Sequence, residues 1–318
     1  MTHPRPHIRP GLSGLLAVCL LAVGLLGGCR PSSNTTPNAD HTDSSLPDSV
    51  LTPPDSATAA QFAAAMKHGQ TQTDSMESIG ALMQALGRYF RGRPYLEGTL
   101  DTDPPETLVV HLDGFDCVTF IETVLAMARG LKTGNRTYAG FIRRLAEQRY
   151  RGGTLQGYCS RLHYFTEWMA DNETKGVVER IDDDLGGRRL TDTLDFMSTH
   201  RARYDRLATN DSLYACVQAM EDSLQEHRRT RPVRYVPQDS IRAVYDQLRV
   251  GDIVGVATAI DGLDISHTGL VYAHDDGTKG LLHASLSDGV VVSPDLQRYI
   301  QKIDHQIGIV MARPRPVK

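Results

Sequence analysis

The chain has no excess of positive charge: 34 Lys and Arg stand against 38 Asp and Glu in 318 residues, a formal net charge of −4. That excludes the basic footprint a nucleic-acid partner requires. It has no internal repeat and, one segment aside, no low-complexity stretch. Aromatic residues make up 6%, an ordinary share for a soluble enzyme or binding domain, and the length gives ample chain for a real core. The one long apolar run, "LSGLLAVCLLAVGLLGG", is too short to span a bilayer comfortably, follows Arg5 and Arg9 with no acid, and ends in small residues. It has the form of a secretory leader. Leu26-Gly27-Gly28-Cys29 looks like a bacterial lipobox, so residues 1–28 are expected to be a lipoprotein signal peptide and Cys29 a lipidated first residue; a plain signal peptide or an uncut anchor is the rival. Residues 29–56, rich in Ser, Thr, Pro, Asn and Asp, have almost nothing to bury and are expected to form a disordered tether. The expected location is an exported, lipid-anchored protein facing the periplasm or cell surface.

Cysteine is scarce, five in all. Cys19 leaves with the leader and Cys29 carries lipid, so Cys117, Cys159 and Cys216 remain. In an oxidising compartment an odd count points to a free thiol. Cys159 and Cys216 are open to two readings, a bridge or two buried thiols.

From Ala57 onward, helical periodicity marks "SATAAQFAAAMKHG", "TDSMESIGALMQALGRYFRG", "TYAGFIRRLAEQRY", "SRLHYFTEWMADN" and, after a Pro-containing turn, "VRYVPQDSIRAVYDQL". "ETLVVHL" has the pattern of a short strand. "GDIVGVAT", "SHTGLVYA", "GLLHASL", "GVVVSP" and "QIGIVMARP" are β-branched runs between turn residues, suited to an antiparallel sheet. Helices followed by a strand meander is an α+β pattern. "RIDDDLGGRR" is most simply a solvated loop.

The informative stretch is "DGFDCVTFIETVLAMARG", residues 113–130. Phe120, Ile121, Val124, Leu125 and Ala128 fall on one helical stripe headed by Cys117, with Asp116 as natural N-cap and a helix end near Gly130. A thiol in that first turn feels unpaired N–H groups and the helix dipole, which favour thiolate; the same amides can receive an oxyanion. The alternative is a core cysteine that happens to start a helix. A base is needed, and His267 in "DISHTGLVY" and His283 in "GLLHASLSDG" are candidates, since neighbouring antiparallel strands can place them side by side. His267 would take the thiol proton and His283 would hold its far nitrogen. A lone strand histidine is more often merely satisfied or exposed, and His111 and His163 are weaker rivals for the orienting role. A Cys-His-His zinc site ranks below a nucleophile, because the spacing matches no zinc signature.

"FDCVTFIE", "SHTGLVY" and "LLHAS" resemble the nucleophile helix, base strand and third-residue strand of the NlpC-type cell-wall cysteine peptidases. The extended "DGFDCVTFIETVLAMARG", "RPYLEGTLD" and "YCSRLHYFTEWMADN" look like one branch, the N-acetylmuramoyl-L-alanine amidases, over roughly residues 83–310. The resemblance implies a papain-like α+β fold, with the nucleophile helix packed on a C-terminal antiparallel sheet. Residues 57–318 would form the amidase domain, with residues 132–248 a mainly helical elaboration. It implies cleavage of peptidoglycan muropeptides between muramic acid and L-alanine, Cys117 as nucleophile, His267 as base, His283 as third member, and no metal or organic cofactor. The superfamily's "DCSG" reads "DCVT" here; Thr119 replaces a glycine, which puts broad endopeptidase specificity in doubt. Tyr95 would line the cleft by resemblance. Arg161, Tyr164 and Trp168 lie on one helical face, as a carboxylate partner and aromatic plates for a substrate or as buried packing, with His163 beside them. The rival functions are a γ-D-glutamyl-diamino acid endopeptidase of the same fold and a non-catalytic wall-binding lipoprotein.

Overall fold

The computed structural model describes residues 53–73, 78–191 and 193–317. The leader, Cys29 and nearly all of the tether lie outside the described residues. Asp55 accepts the Thr58 amide at 2.7 Å ahead of helix α1 (Ser56–Thr73). Ser78 caps α2 (Ile79–Tyr89) by accepting from the Ala81 amide. The expected strand at residues 106–112 does not form: the segment pairs with no strand among the described residues. Instead its carbonyls accept from side chains, Val109 from Arg149 at 2.6 Å and Thr107 from Tyr150 at 3.1 Å.

The central helix is α3 (Cys117–Thr133). It runs one turn beyond Gly130, because Gly134 at φ 74° supplies the left-handed cap that ends it. Nearly every residue after Thr119 is buried, since α1, α2, α4 (Tyr138–Arg149) and the sheet surround it. The one acid inside this wall, Glu122, is paired with Arg149 Nε at 2.8 Å and accepts from the Trp168 indole at 3.2 Å. A charge removed from water needs such a set of partners.

In the middle region, helix α5 is shorter than its periodicity suggests, Phe165–Thr174; residues 158–160 form a separate 3-10 turn. The expected solvated loop at residues 180–189 contains part of β1 (Val178–Arg180) and β2 (Arg188–Arg189). Short helices α6 (Phe196–Thr199) and α7 (Asp205–Ala208) precede the long α8 (Asp211–Thr230). Cys159 and Cys216 are bridged, tying the 3-10 turn to α8. "VRYVP" is strand β3 (Arg234–Pro237), not the entry to a helix, and a 3-10 segment follows at Gln238–Gln247.

The meander then appears as expected: β4 (Ile253–Thr258), β5 (Ile265–Ala273), β6 (Lys279–Ser285), β7 (Gly289–Ser293), a short α9 (Leu296–Ile300) and β8 (Gln306–Pro314). The sheet is antiparallel, in the order β2-β3-β8-β4-β5-β6-β7, with β1 also on β8. One face packs on the helical core around α3 and the other on a smaller cluster around Val256, Leu281 and Met311. The architecture is α+β.

Candidate active site

On the cysteine side, the local sequence fixes the helix start. Asp116 Oδ1 accepts the amides of Val118 at 2.9 Å and Thr119 at 2.7 Å, while Thr119 Oγ1 accepts the Asp116 amide at 3.0 Å. This is a capping box with threonine in the third position. Thr119 thus has a structural task in the cap. Cys117 is the free cysteine among the described residues, and its side chain is half-buried.

On the histidine side, Ile253 pairs with Leu270, but the register slips between Val256 and Ala257, which face His267 and Ile265. Ser266 is the extra residue of a β-bulge, and a bulge re-aims the side chain beside it. The start of β5 is pinned as well. Asp264 Oδ2 accepts from the Thr166 amide (3.0 Å), the Thr166 hydroxyl (2.7 Å) and Arg228 (3.1 Å). Further along, the β5–β6 register brings Gly269 beside His283. A Cβ at Gly269 would lie 2.6 Å from Leu281 Cδ1 and 3.1 Å from His283 Cβ, so glycine makes the room.

His267 Nε2 lies 2.8 Å from His283 Nδ1, and His283 Nε2 lies 3.1 Å from Ser293 Oγ on β7. The rings of His267 and His283 are edge-on, centroids 4.9 Å apart, and the Tyr299 ring packs 4.7 Å from His283. Thr268, next in sequence to His267, joins the two sides: its Oγ1 donates to the Cys117 carbonyl at 2.7 Å. Hydrogen bonding by its hydroxyl and amide favours the ionised Cys117 sulfur, and the Tyr95 phenol interacts with the same sulfur. Tyr95 comes in through a bridge to Phe115, two residues before the cysteine.

The electrostatics differ from the expected thiolate. Burial, and then the Asp116 carboxylate, push the Cys117 thiol up to about 11, against the pull of Thr268. The helix amides cannot reverse this, because Asp116 takes those of Val118 and Thr119. Burial lowers His267 to about 4; burial and the neighbouring His267 lower His283 to about 3. Burial raises Tyr95 and, to about 12, Tyr299, in both cases helped by Cys117. The resting site is therefore a neutral thiol beside neutral imidazoles.

Of the sequence candidates, the structure gathers Cys117, His267, His283 and Tyr95, and leaves Arg161, His163 and Tyr164 apart in the framework of the middle region. Arg161, 5% exposed, donates to the Leu100 carbonyl, pairs with Asp101 and Glu106, and lies over the Tyr158 ring. His163 Nε2 is 2.9 Å from the Tyr158 carbonyl, and burial with nearby Arg161 lowers it to about 3. Tyr164 is 2% exposed; its hydroxyl donates to Glu221 at 2.7 Å and accepts the Met197 amide at 3.2 Å. Trp168 is likewise buried, stacked on Phe165. His111 sits at the surface, 3.6 Å from Asp113. Sequence reasoning missed Thr268, Ser293 and Tyr299. Thr268 stood inside a quoted motif; the other two carry no local signal, because only strand pairing and the α9 turn bring them in.

Residues 85–309 match the AmiA-like family, described as N-acetylmuramoyl-L-alanine amidase-like. A crystal structure of an N-acetylmuramoyl-L-alanine amidase from Bacteroides uniformis is 30% identical, with a TM-score of 0.69, covering 75% of this chain and 99% of that one. A Bacteroides fragilis protein, provisionally named a xylanase, is 33% identical with a TM-score of 0.64, covering 71% and 98%. A Legionella pneumophila protein at 19% identity and a TM-score of 0.60 shares the fold, over 82% and 96%. No curated protein matches. The family match spans α3 with Cys117, the histidine strands and the middle helices alike, and so the chain belongs to the AmiA-like family of N-acetylmuramoyl-L-alanine amidase-like proteins.

Proposed function

We propose that the chain is a cysteine-dependent N-acetylmuramoyl-L-alanine amidase of papain-like, NlpC-type fold. In this reading it cleaves the amide between muramic acid and L-alanine in peptidoglycan fragments. Residues 57–318 form its catalytic domain. Residues 1–28 are a lipoprotein signal peptide, and Cys29 with the tether to residue 56 holds it at a membrane facing the periplasm or cell surface. The observation that carries the reading is the polar chain His267, His283 and Ser293, in which each imidazole has a defined partner, on a strand that Thr268 ties to the Cys117 carbonyl.

That chain sets the tautomers. With Ser293 as acceptor, His283 carries its proton on Nε2 and presents a bare Nδ1; His267 then donates from Nε2, which leaves its own Nδ1 to accept a proton. Because the thiol rests neutral, its proton passes to His267 Nδ1 as sulfur bonds to the lactyl carbonyl carbon, rather than beforehand. The imidazolium is stabilised through its Nε2–H bond to neutral His283. Since the next two amides serve Asp116, the oxyanion falls to the Cys117 amide and the Tyr95 hydroxyl. Collapse breaks the C–N bond, and His267 returns the proton to the departing alanine nitrogen. Water, deprotonated by His267, then hydrolyses the thioester and restores the thiol.

Among the described residues, the site at Cys117 offers no counterpart to the glycosidase name of one relative. Glycoside hydrolysis uses two carboxyl groups across the bond, whereas the carboxylate beside Cys117 is occupied by the helix cap.

The test is digestion of defined muropeptides by wild type and Cys117→Ala, with products weighed by mass spectrometry. A freed L-alanine N-terminus beside an intact sugar, at least about 1,000-fold slower in the variant, is the expected result. Cleavage after γ-D-glutamate would replace the bond assignment with that of an endopeptidase. Equal activity in both proteins would remove the nucleophile.

A further inference from the structure

We propose that Thr268 is a positioning residue for the nucleophile: its hydroxyl locks the first turn of α3 onto β5 and supplies a donor to the Cys117 sulfur as negative charge develops there. This rests on the reading of Cys117 as nucleophile.

The geometry is local and specific. Thr268 is 1% exposed, and the 2.7 Å bond from its Oγ1 to the Cys117 carbonyl spans helix and sheet. Its hydroxyl and amide also pull the Cys117 thiol down, against burial and Asp116. A helix carbonyl in the first turn already accepts from the amide one turn on, so structure alone does not require a second donor there. The bond instead ties the backbone bearing the sulfur to the strand bearing His267, one residue away.

The hydroxyl has one proton and two acceptors within reach. In the resting site it serves the Cys117 carbonyl, and the thiol is neutral. When His267 withdraws the thiol proton, the sulfur becomes the stronger acceptor, and rotation about the Thr268 Cβ–Oγ1 bond turns the donor to it. No covalent bond changes in this step. Around the sulfur, Asp116 opposes ionisation, and a thiolate would in turn hold the Tyr95 and Tyr299 phenols neutral. Thr268 is thus the residue from the sheet that stabilises thiolate through both backbone and side chain.

Thr268→Val keeps the shape and removes the hydroxyl; Thr268→Ser keeps the hydroxyl and removes the methyl. The expected result is a kcat lower by roughly 10- to 100-fold in the valine variant with KM little changed, and near-normal turnover in the serine variant. The iodoacetamide alkylation profile of Cys117 should move to higher pH in the valine variant by about one unit. If the valine variant does not fold, Thr268→Ala against Thr268→Ser asks the same question, since both lack the methyl and differ in the hydroxyl. A valine variant with wild-type turnover and alkylation profile, or a serine variant as impaired as valine, overturns the proposal. The alkylation profile needs no substrate, so it stays decisive even if muropeptides prove to be cut at another bond.

Discussion

Two regions of this molecule carry similar residues and use them differently. Around α3 and the strands β5 to β7, two histidines and a serine form a hydrogen-bonded chain, and Thr268 ties the strand that carries its first member to the Cys117 backbone. In the middle region, Arg161, His163, Tyr164 and Trp168 are as polar and as aromatic, yet each has its partner inside the protein: Asp101 and Glu106, the Tyr158 carbonyl, Glu221 and Glu122. A buried polar group is costly unless bonded. The middle region also has its own small core around Leu194, Leu207 and Val217.

The sharpest way to break this contrast is to remove the two histidines in turn. His267→Ala should lower kcat by about 1,000-fold or more, as loss of a base acting in the transition state does. His283→Ala should cost less, roughly 10- to 100-fold, with KM unchanged, because it acts only by fixing the tautomer and bearing of His267. Equal losses would make His283 a direct participant in proton transfer. On the other side of the comparison, Tyr164→Phe should leave kcat/KM within about two-fold while lowering stability by about 1–3 kcal/mol, the effect of stranding Glu221 and the Met197 amide. A Tm scan beside a turnover assay checks both halves. A large fall in KM-sensitive turnover with unchanged Tm would return Tyr164 to the substrate.

How much of this could be read from sequence depends on the range of the forces involved. The start of α3 was legible because a cap is local: Asp116, Thr119 and the stripe below Cys117 lie within a dozen residues. The five C-terminal strands were legible by their β-branched runs between turns. The Ser266 bulge was not, since a bulge belongs to the pairing of two strands and not to either sequence. The false strand at residues 106–112 had the right residues but lacked an edge to join. Arg161, Tyr164 and Trp168 share a helical face in the sequence, but only the tertiary structure shows that Glu221 and Glu122 wait behind them. The lowered charge affinity of the site was hidden for the same reason: position at a helix start argues for thiolate, and burial beside Asp116 outweighs it.

The finest distinction between the regions is in their response to acid. His267, His283 and His163 are held at about 4, 3 and 3, each mainly by burial. In the unfolded chain all three take up protons near pH 6.5. Between roughly pH 6.5 and 4 the unfolded state therefore binds more protons than the folded one, so stability falls as pH drops through that window and is fully present above it. Catalysis depends only on the site, and its acid limb should lie near pH 4 rather than 6.5, as long as the protein remains folded. His163→Gln separates the two: it removes one of the three proton-linked contributions, so Tm should fall less steeply from pH 6.5 to 4.5, while the pH profile of kcat/KM stays where it was. A shifted kinetic profile in that variant would mean that the middle region reaches the chemistry, and that the division between framework and site is drawn in the wrong place.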